Sequence, residues 1–229
     1  MINITFSDQW HATFPNAHIG YLIVNGVDNQ KRPSSLEQHK VDVVTAVRQK
    51  FAGQERADLI QNPILKAYRT YYKKFNKTYH VQLQLESILH KGRSLPNVNP
   101  LVDSAFAAEI ETLILTASHD IDKLNGPILF DATQKGEPFI QMGNREQTLK
   151  ANDMVMRDNS TPACTIIYGQ DNISPISPST QNAMYVAYCP VDVPKSTIET
   201  HFEAIQQNIL KFQPDAQFDA PLIIQGKGS

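Results

Sequence analysis

Along the chain, apolar positions change period about halfway. An apolar run at 19–24 has the length of a buried strand, and Val27-Asp28-Asn29 supplies the turn that leaves it. Helical spacing follows. Leu36, Lys40, Val43, Val44, Val47 and Phe51 predict an amphipathic helix that either Ser34 or Ser35 can cap and that ends near Gly53. Asn62-Pro63 places a capping side chain before a proline at the first helical position, and Ile64, Leu65, Tyr68, Tyr71, Tyr72 and Phe75 then trace one stripe. A weaker helix is predicted over 83–90. Asn99-Pro100 repeats the cap-then-proline device ahead of Leu101, Val102, Ala105, Phe106, Ile110 and Leu113.

Beyond Gly126 the runs are short and strand-like, at 128–132, 138–142, 153–157, 162–168 and 183–189, with hairpin-type turns at Lys135-Gly136-Glu137 and Gly143-Asn144. A last helix is predicted over 196–212 and a strand over 222–224. Helices early and strands late predict an α+β fold. No Gly/Ser-rich or Pro-rich stretch divides the chain, so residues 1–229 are expected to form one domain.

Composition narrows the class. With 41% hydrophobic and 19% charged residues the chain reads as globular. It lacks the roughly 20-residue apolar run of a membrane helix. The first residues lack the basic-then-apolar order of a secretion signal, and Cys164 and Cys189 sit in apolar strand contexts that favour buried thiols. A cytoplasmic protein with no membrane association, no cofactor and no obligate protein partner is the expectation.

The net charge of −2 argues against general attraction to nucleic acid. The distribution changes that picture. Between Lys66 and Arg93 seven basic residues stand against the single acid Glu86. Lys66, Arg69, Lys73 and Lys77 share a helical spacing, and with Lys74 they define a candidate phosphate-contacting strip; the alternative is a solvated helix face. Four tyrosines (Tyr68, Tyr71, Tyr72, Tyr79) lie in the same segment but also fit its apolar face.

No Gly-rich phosphate loop, nucleophile elbow or H-E-x-x-H is present, and the seven histidines form no metal spacing. Ser118-His119-Asp120 has the letters of a triad, but consecutive side chains diverge. If the segment is extended, Asp120 and Asp122 point to one side, where paired carboxylates make a general base; alternatively one caps a turn and the other pairs with a cation. Asn99 and Asp103 suit a helix start and equally a ligand at a helix N-terminus. Tyr168-Gly169-Gln170-Asp171 ends an apolar strand, where glycine permits either a turn or close approach of a ligand.

From Ser94 to Pro190 the chain resembles the B3/B4 tRNA-editing domain of the phenylalanyl-tRNA synthetase β subunit. The resemblance rests on Asn99-Pro100-Leu101-Val102-Asp103, Asp120-Ile121-Asp122-Lys123-Leu124, Gly136-Glu137, the segment 163–171 and Ser179-Thr180-Gln181-Asn182. The upstream Tyr68-Arg69-Thr70-Tyr71-Tyr72-Lys73-Lys74-Phe75 and Leu95-Pro96 blocks resemble free-standing members of that family. It implies a three-layered α+β fold with mixed sheets, tRNA as partner, and hydrolysis of misacylated tRNA. The family's Thr-Asn pair falls on Ala105-Phe106, its His on Ala117, its Glu on Val186, and the first glycine of its loop pair on Tyr168. All are apolar or aromatic here. The resemblance therefore leaves two readings: a trans-editing deacylase with a remodelled pocket, or a non-catalytic module for an amino-acid-like ligand or RNA end. For the first, His119, Asp120 and Gln170 are the candidates to orient water, with Asn99, Phe106 and Tyr168 lining the pocket.

Overall fold

The computed structural model describes residues 2–227. Its elements in chain order are β1 (Ile4–Phe6), α1 (Asp8–Thr13), β2 (His18–Asn25), α2 (Ser34–Lys50), α3 (Arg56–Leu59), α4 (Pro63–Lys73), α5 (His80–Lys91), α6 (Pro100–Thr112), β3 (Thr116–Asp120), β4 (Ile128–Ala132), β5 (Pro138–Gln141), β6 (Arg145–Thr148), β7 (Met154–Asp158), β8 (Thr161–Thr165), β9 (Gly169–Gln170), β10 (Ala183–Cys189), α7 (Lys195–Leu210), β11 (Gln217–Phe218) and β12 (Leu222–Gln225). The fold is α+β, as the change of period predicts.

One sheet runs β1-β4-β7-β8-β9 and is mixed, because β1 pairs with β4 in parallel while the rest are antiparallel. The second runs β11-β2-β10-β3, with β12 also on β2, and is wholly antiparallel. β5 and β6 form a separate hairpin. Strand β10 is buried at all seven positions, which is why it reads as an unbroken apolar run instead of an alternating one. α7 packs on this sheet, and Phe202 sits so close to Gly20 of β2 that a Cβ there would come within 2.6 Å of its ring. Glycine is the residue that admits the helix.

Local chemistry sets the elements that carry the site. Asn62 Oδ1 accepts from the amides of Ile64 and Leu65, capping α4 ahead of Pro63. Tyr68, Tyr71, Tyr72 and Tyr79 are all buried, and each hydroxyl finds an acceptor: Tyr188 O, Asp153 Oδ1, Ile166 O and Leu113 O, at 2.7–3.0 Å. The tyrosines therefore bind α4 and the following loop to both sheets, and are core. Rings of Tyr68 and Tyr79 stack at 4.2 Å between centroids, a contact worth about 1 kcal/mol beyond the area it buries.

Ser34 and Ser35 both fall inside α2, where Pro33 is the N-cap and no side chain caps. The 3-residue β1, α1 and α3 are short, with too few turns or alternations for a period to show in sequence.

The candidate cavity and its basic approach

A cavity of about 290 Å³ opens where α5, α6, β3, β8 and the loop after β9 meet. Val102 and Phe106 enter from α6, Leu115 to Ser118 from β3 and its approach, and Cys164 to Ile166 from β8 and the residue beyond it. Gly169, Gln170, Pro175 and Ile176 close one side, and Tyr188 of β10 lies behind. Val98 and Met142, 53% and 57% exposed, border the opening. No lysine, arginine, aspartate or glutamate lines it, so its walls suit an apolar group with a few hydrogen-bonding atoms.

Three polar features stand out on those walls. Gln170 Nε2 donates to the carbonyls of Ser118 (2.8 Å) and Ser174 (3.0 Å), which fixes the amide orientation and, among the described residues, leaves Oε1 without a donor. Tyr188 is buried and its Oη lacks a hydrogen-bond partner, resting only against the Cys164 thiol, a weak partner. His80, at the first position of α5, places Nδ1 3.1 Å from Tyr72 Oη. Although His80 as a whole is exposed, its ring lies against Tyr72 and Tyr79 with centroids 6.2 and 5.6 Å away, and the lost hydration holds its pKa down, to about 4.

Behind the wall lies a second layer. Glu109 Oε1 accepts the Thr116 amide at 2.7 Å, and burial raises its pKa to about 8, so the carboxyl is protonated at neutral pH. Thr112 gives its hydroxyl proton to Ala108 O, so it accepts from His201 Nδ1–H, and His201 Nε2 then accepts from the Thr116 hydroxyl at 2.6 Å. Burial keeps that imidazole neutral, with its pKa pushed down to about 3.

The residues singled out in sequence separate into three groups. Phe106 and Gln170 line the cavity, and Tyr168 lies just outside it, its amide donating to Thr165 Oγ1 and its carbonyl accepting from Gln141 Nε2. His119 is buried and does not line the cavity. Ser174 donates to Asp171 Oδ1, so Ser174 Oγ accepts from His119 Nδ1–H at 2.7 Å, and His119 Nε2 has no partner. Burial lowers its pKa to about 3, which makes it a neutral support for Ser174 and Gln170. Asp120 is likewise buried and committed: it accepts from Thr180 Oγ1 (2.7 Å) and the Asp122 amide, and pairs with Lys123. Asp122 instead accepts from Asn182 Nδ2, so the two carboxylates do not act as a pair. Asn99 caps α6 through Val102 N and accepts from Asn29 Nδ2, while Asp103 holds Lys40 at 2.9 Å. Both serve the helix start and lie off the cavity.

Lys66, Lys73, Lys74 and Lys77 are exposed and Arg69 is half-buried. Among the described residues none of the five forms an ion pair. Lys73, Lys74 and Lys77 belong to the segment joining Tyr72 to His80, and Lys74 lies over the Tyr71 ring in a separate groove.

His80, Tyr188 and Thr116 were not singled out in sequence. A lone histidine beside a tyrosine has no spacing signature. Tyr188 does carry one: it lies two residues from Val186 on β10, hence on the same face.

An α+β frame with a mixed and an antiparallel sheet around an uncharged cavity defines a class of domain, and the comparisons identify it. The family model of the B3/4 domain matches residues 65–204. That is more than half of the chain, and the chain belongs to this family. Among solved structures, it is similar to an N-terminal fragment of the phenylalanyl-tRNA synthetase β subunit from Pyrococcus horikoshii, at 12% identity and a TM-score of 0.51. The match covers 97% of this chain and 54% of that fragment, so the chain spans about half the length of its neighbour. No curated protein matches the sequence. Phe106 and Ala117 line the cavity, and Val186 lies opposite Ala117 across the β3–β10 ladder. Among the described residues, no group of three or more His, Cys, Asp or Glu could hold a metal ion, and no helix is long and apolar enough to cross a membrane.

Proposed function

We propose that the protein hydrolyses the ester of a misacylated aminoacyl-tRNA in trans. The cavity receives the amino-acid side chain and the basic face of α4 receives the nucleic acid. The observation that carries this reading is the junction of the two: the unpaired cations Lys73, Lys74 and Lys77 lie on the segment that ends at His80, on the rim of an uncharged cavity. Phosphate binding at those cations is local, and is compatible with a net charge of −2.

The walls fit an apolar side chain. Gln170 Oε1 accepts from a water or the substrate amine, with His119 and Ser174 fixing the amide from behind. Asp120 contributes by holding the turn after β3.

The test is deacylation of a pool of tRNAs, each charged with a known correct or incorrect amino acid. Selective loss of one mischarged species is expected. A second reading, a non-catalytic module for an amino-acid-like ligand or an RNA end, is favoured by Ala105, Phe106, Ala117 and Val186, which replace the editing domain's polar groups. Saturable tRNA binding without deacylation would select it, and absence of both would overturn the two readings together.

A further inference from the structure

We propose that His80 is the base that activates the hydrolytic water and that Tyr72 positions it; the proposal rests on the deacylase reading above. Tyr72 Oη lies 3.0 Å from the carbonyl of Ile166, a group that can only accept, so the tyrosine proton is committed there. The contact of 3.1 Å between Tyr72 Oη and His80 Nδ1 then requires the proton on Nδ1. His80 Nε2 is left with its lone pair and, among the described residues, no partner. An imidazole oriented by a hydroxyl that is itself oriented by a backbone carbonyl has the geometry of a base held for a task.

Position and environment agree. His80 both lines the cavity and is exposed, so it lies where a water meets the bound ester. The other protonatable side chains of the lining cannot serve: burial pushes the Cys164 thiol and the Tyr188 hydroxyl up, so both keep their protons. His119 is enclosed, and its Nδ1 proton is spent on Ser174. The groups around His80 are Tyr72 from α4, Tyr79 beside it, Thr116 and Ser118 across the cavity, and Arg93 on its outer flank. None is acidic.

The step balances as ordinary ester hydrolysis. Nε2 takes a proton from water as the water oxygen bonds to the ester carbonyl carbon. The bond from that carbon to the ribose oxygen then breaks, and the imidazolium returns its proton to the ribose oxygen. The products are free amino acid and uncharged tRNA.

The test compares wild type, H80Q, H80A and Y72F on the mischarged tRNA pool, with circular dichroism to verify folding and 15N spectra of the imidazoles. H80Q and H80A are expected to lose about 100-fold or more in kcat, the usual contribution of a positioned base, with KM and tRNA binding unchanged. Y72F is expected to lose less, and its His80 spectrum to change from the Nδ1–H form to a mixture of tautomers, which a purely structural role for Tyr72 would not produce. A folded H80Q with wild-type kcat overturns the proposal and leaves the deacylase reading standing. A wild type inert on every charged species fails the deacylase reading, and the proposal falls with it. A wild-type His80 spectrum without the Nδ1–H form overturns the positioning role of Tyr72 independently of activity.

Discussion

Two buried polar groups flank the cavity, both kept protonated by burial, one hydrogen-bonded and the other without a partner among the described residues. Glu109 is held protonated, with a pKa of about 8 against an ordinary value of 4.5. A folded-state pKa above the unfolded one means the unfolded chain loses its proton first. This group therefore removes stability as pH rises from about 4.5, and the loss is complete above about 8. The span corresponds to roughly 5 kcal/mol. Glu109→Gln keeps the acceptor for the Thr116 amide and abolishes the titration, so the variant should be markedly more stable than wild type at pH 9 and similar at pH 4, by chemical denaturation. Equal pH profiles would mean that Glu109 is charged in the fold. Asp153, raised to about 7, keeps part of the slope in both proteins. Tyr188 is the other case. Its unpartnered hydroxyl costs on the order of 1–3 kcal/mol of desolvation. Tyr188→Phe should raise the melting temperature of the ligand-free protein, whereas a drop would show that Oη already has a partner.

At the scale of elements, α4 separates its two faces cleanly: tyrosines inward, cations outward. Replacing Lys73 and Lys74 with glutamate changes exposed side chains, removes the Lys74 ammonium from over the Tyr71 ring, and should cost no more than about 1 kcal/mol of stability. It should weaken tRNA binding and flatten its dependence on salt, measured by filter binding across an ionic-strength series. Unchanged affinity and slope would assign the strip to solvent. The same helix shows what was legible in the sequence. The cap, the proline and the stripe each act within a few residues, and the chain spells them out; β10 was legible to the residue because both its faces are buried. The destinations of side chains were not. His119 and Asp120 carry the chemistry of a site and sit in structural hydrogen bonds, because Ser174 and Thr180, more than fifty residues away, take them up. His80 gains its orientation from Tyr72, a pairing that exists only once the loop after α4 has turned back.

Taken whole, the molecule assembles from distant pieces of chain. β1 lies on β4, so Ile4 meets Ile128, and β2 is flanked by β10 on one side and by β11 and β12 on the other. The family frame was legible because its anchor blocks keep their order along the sequence. The cavity was legible only through the family, since its lining comes from several separate segments. β2 has a consequence for biosynthesis. It leaves the ribosome well before both its neighbours, which are encoded some 160 residues later or more. Until those neighbours emerge this apolar strand has both edges open, and it finds its place only after they are made. Pairings of such long range fold slowly and leave the nascent chain open to aggregation. The protein should depend on holdase chaperones while it is being made far more than its finished core would suggest.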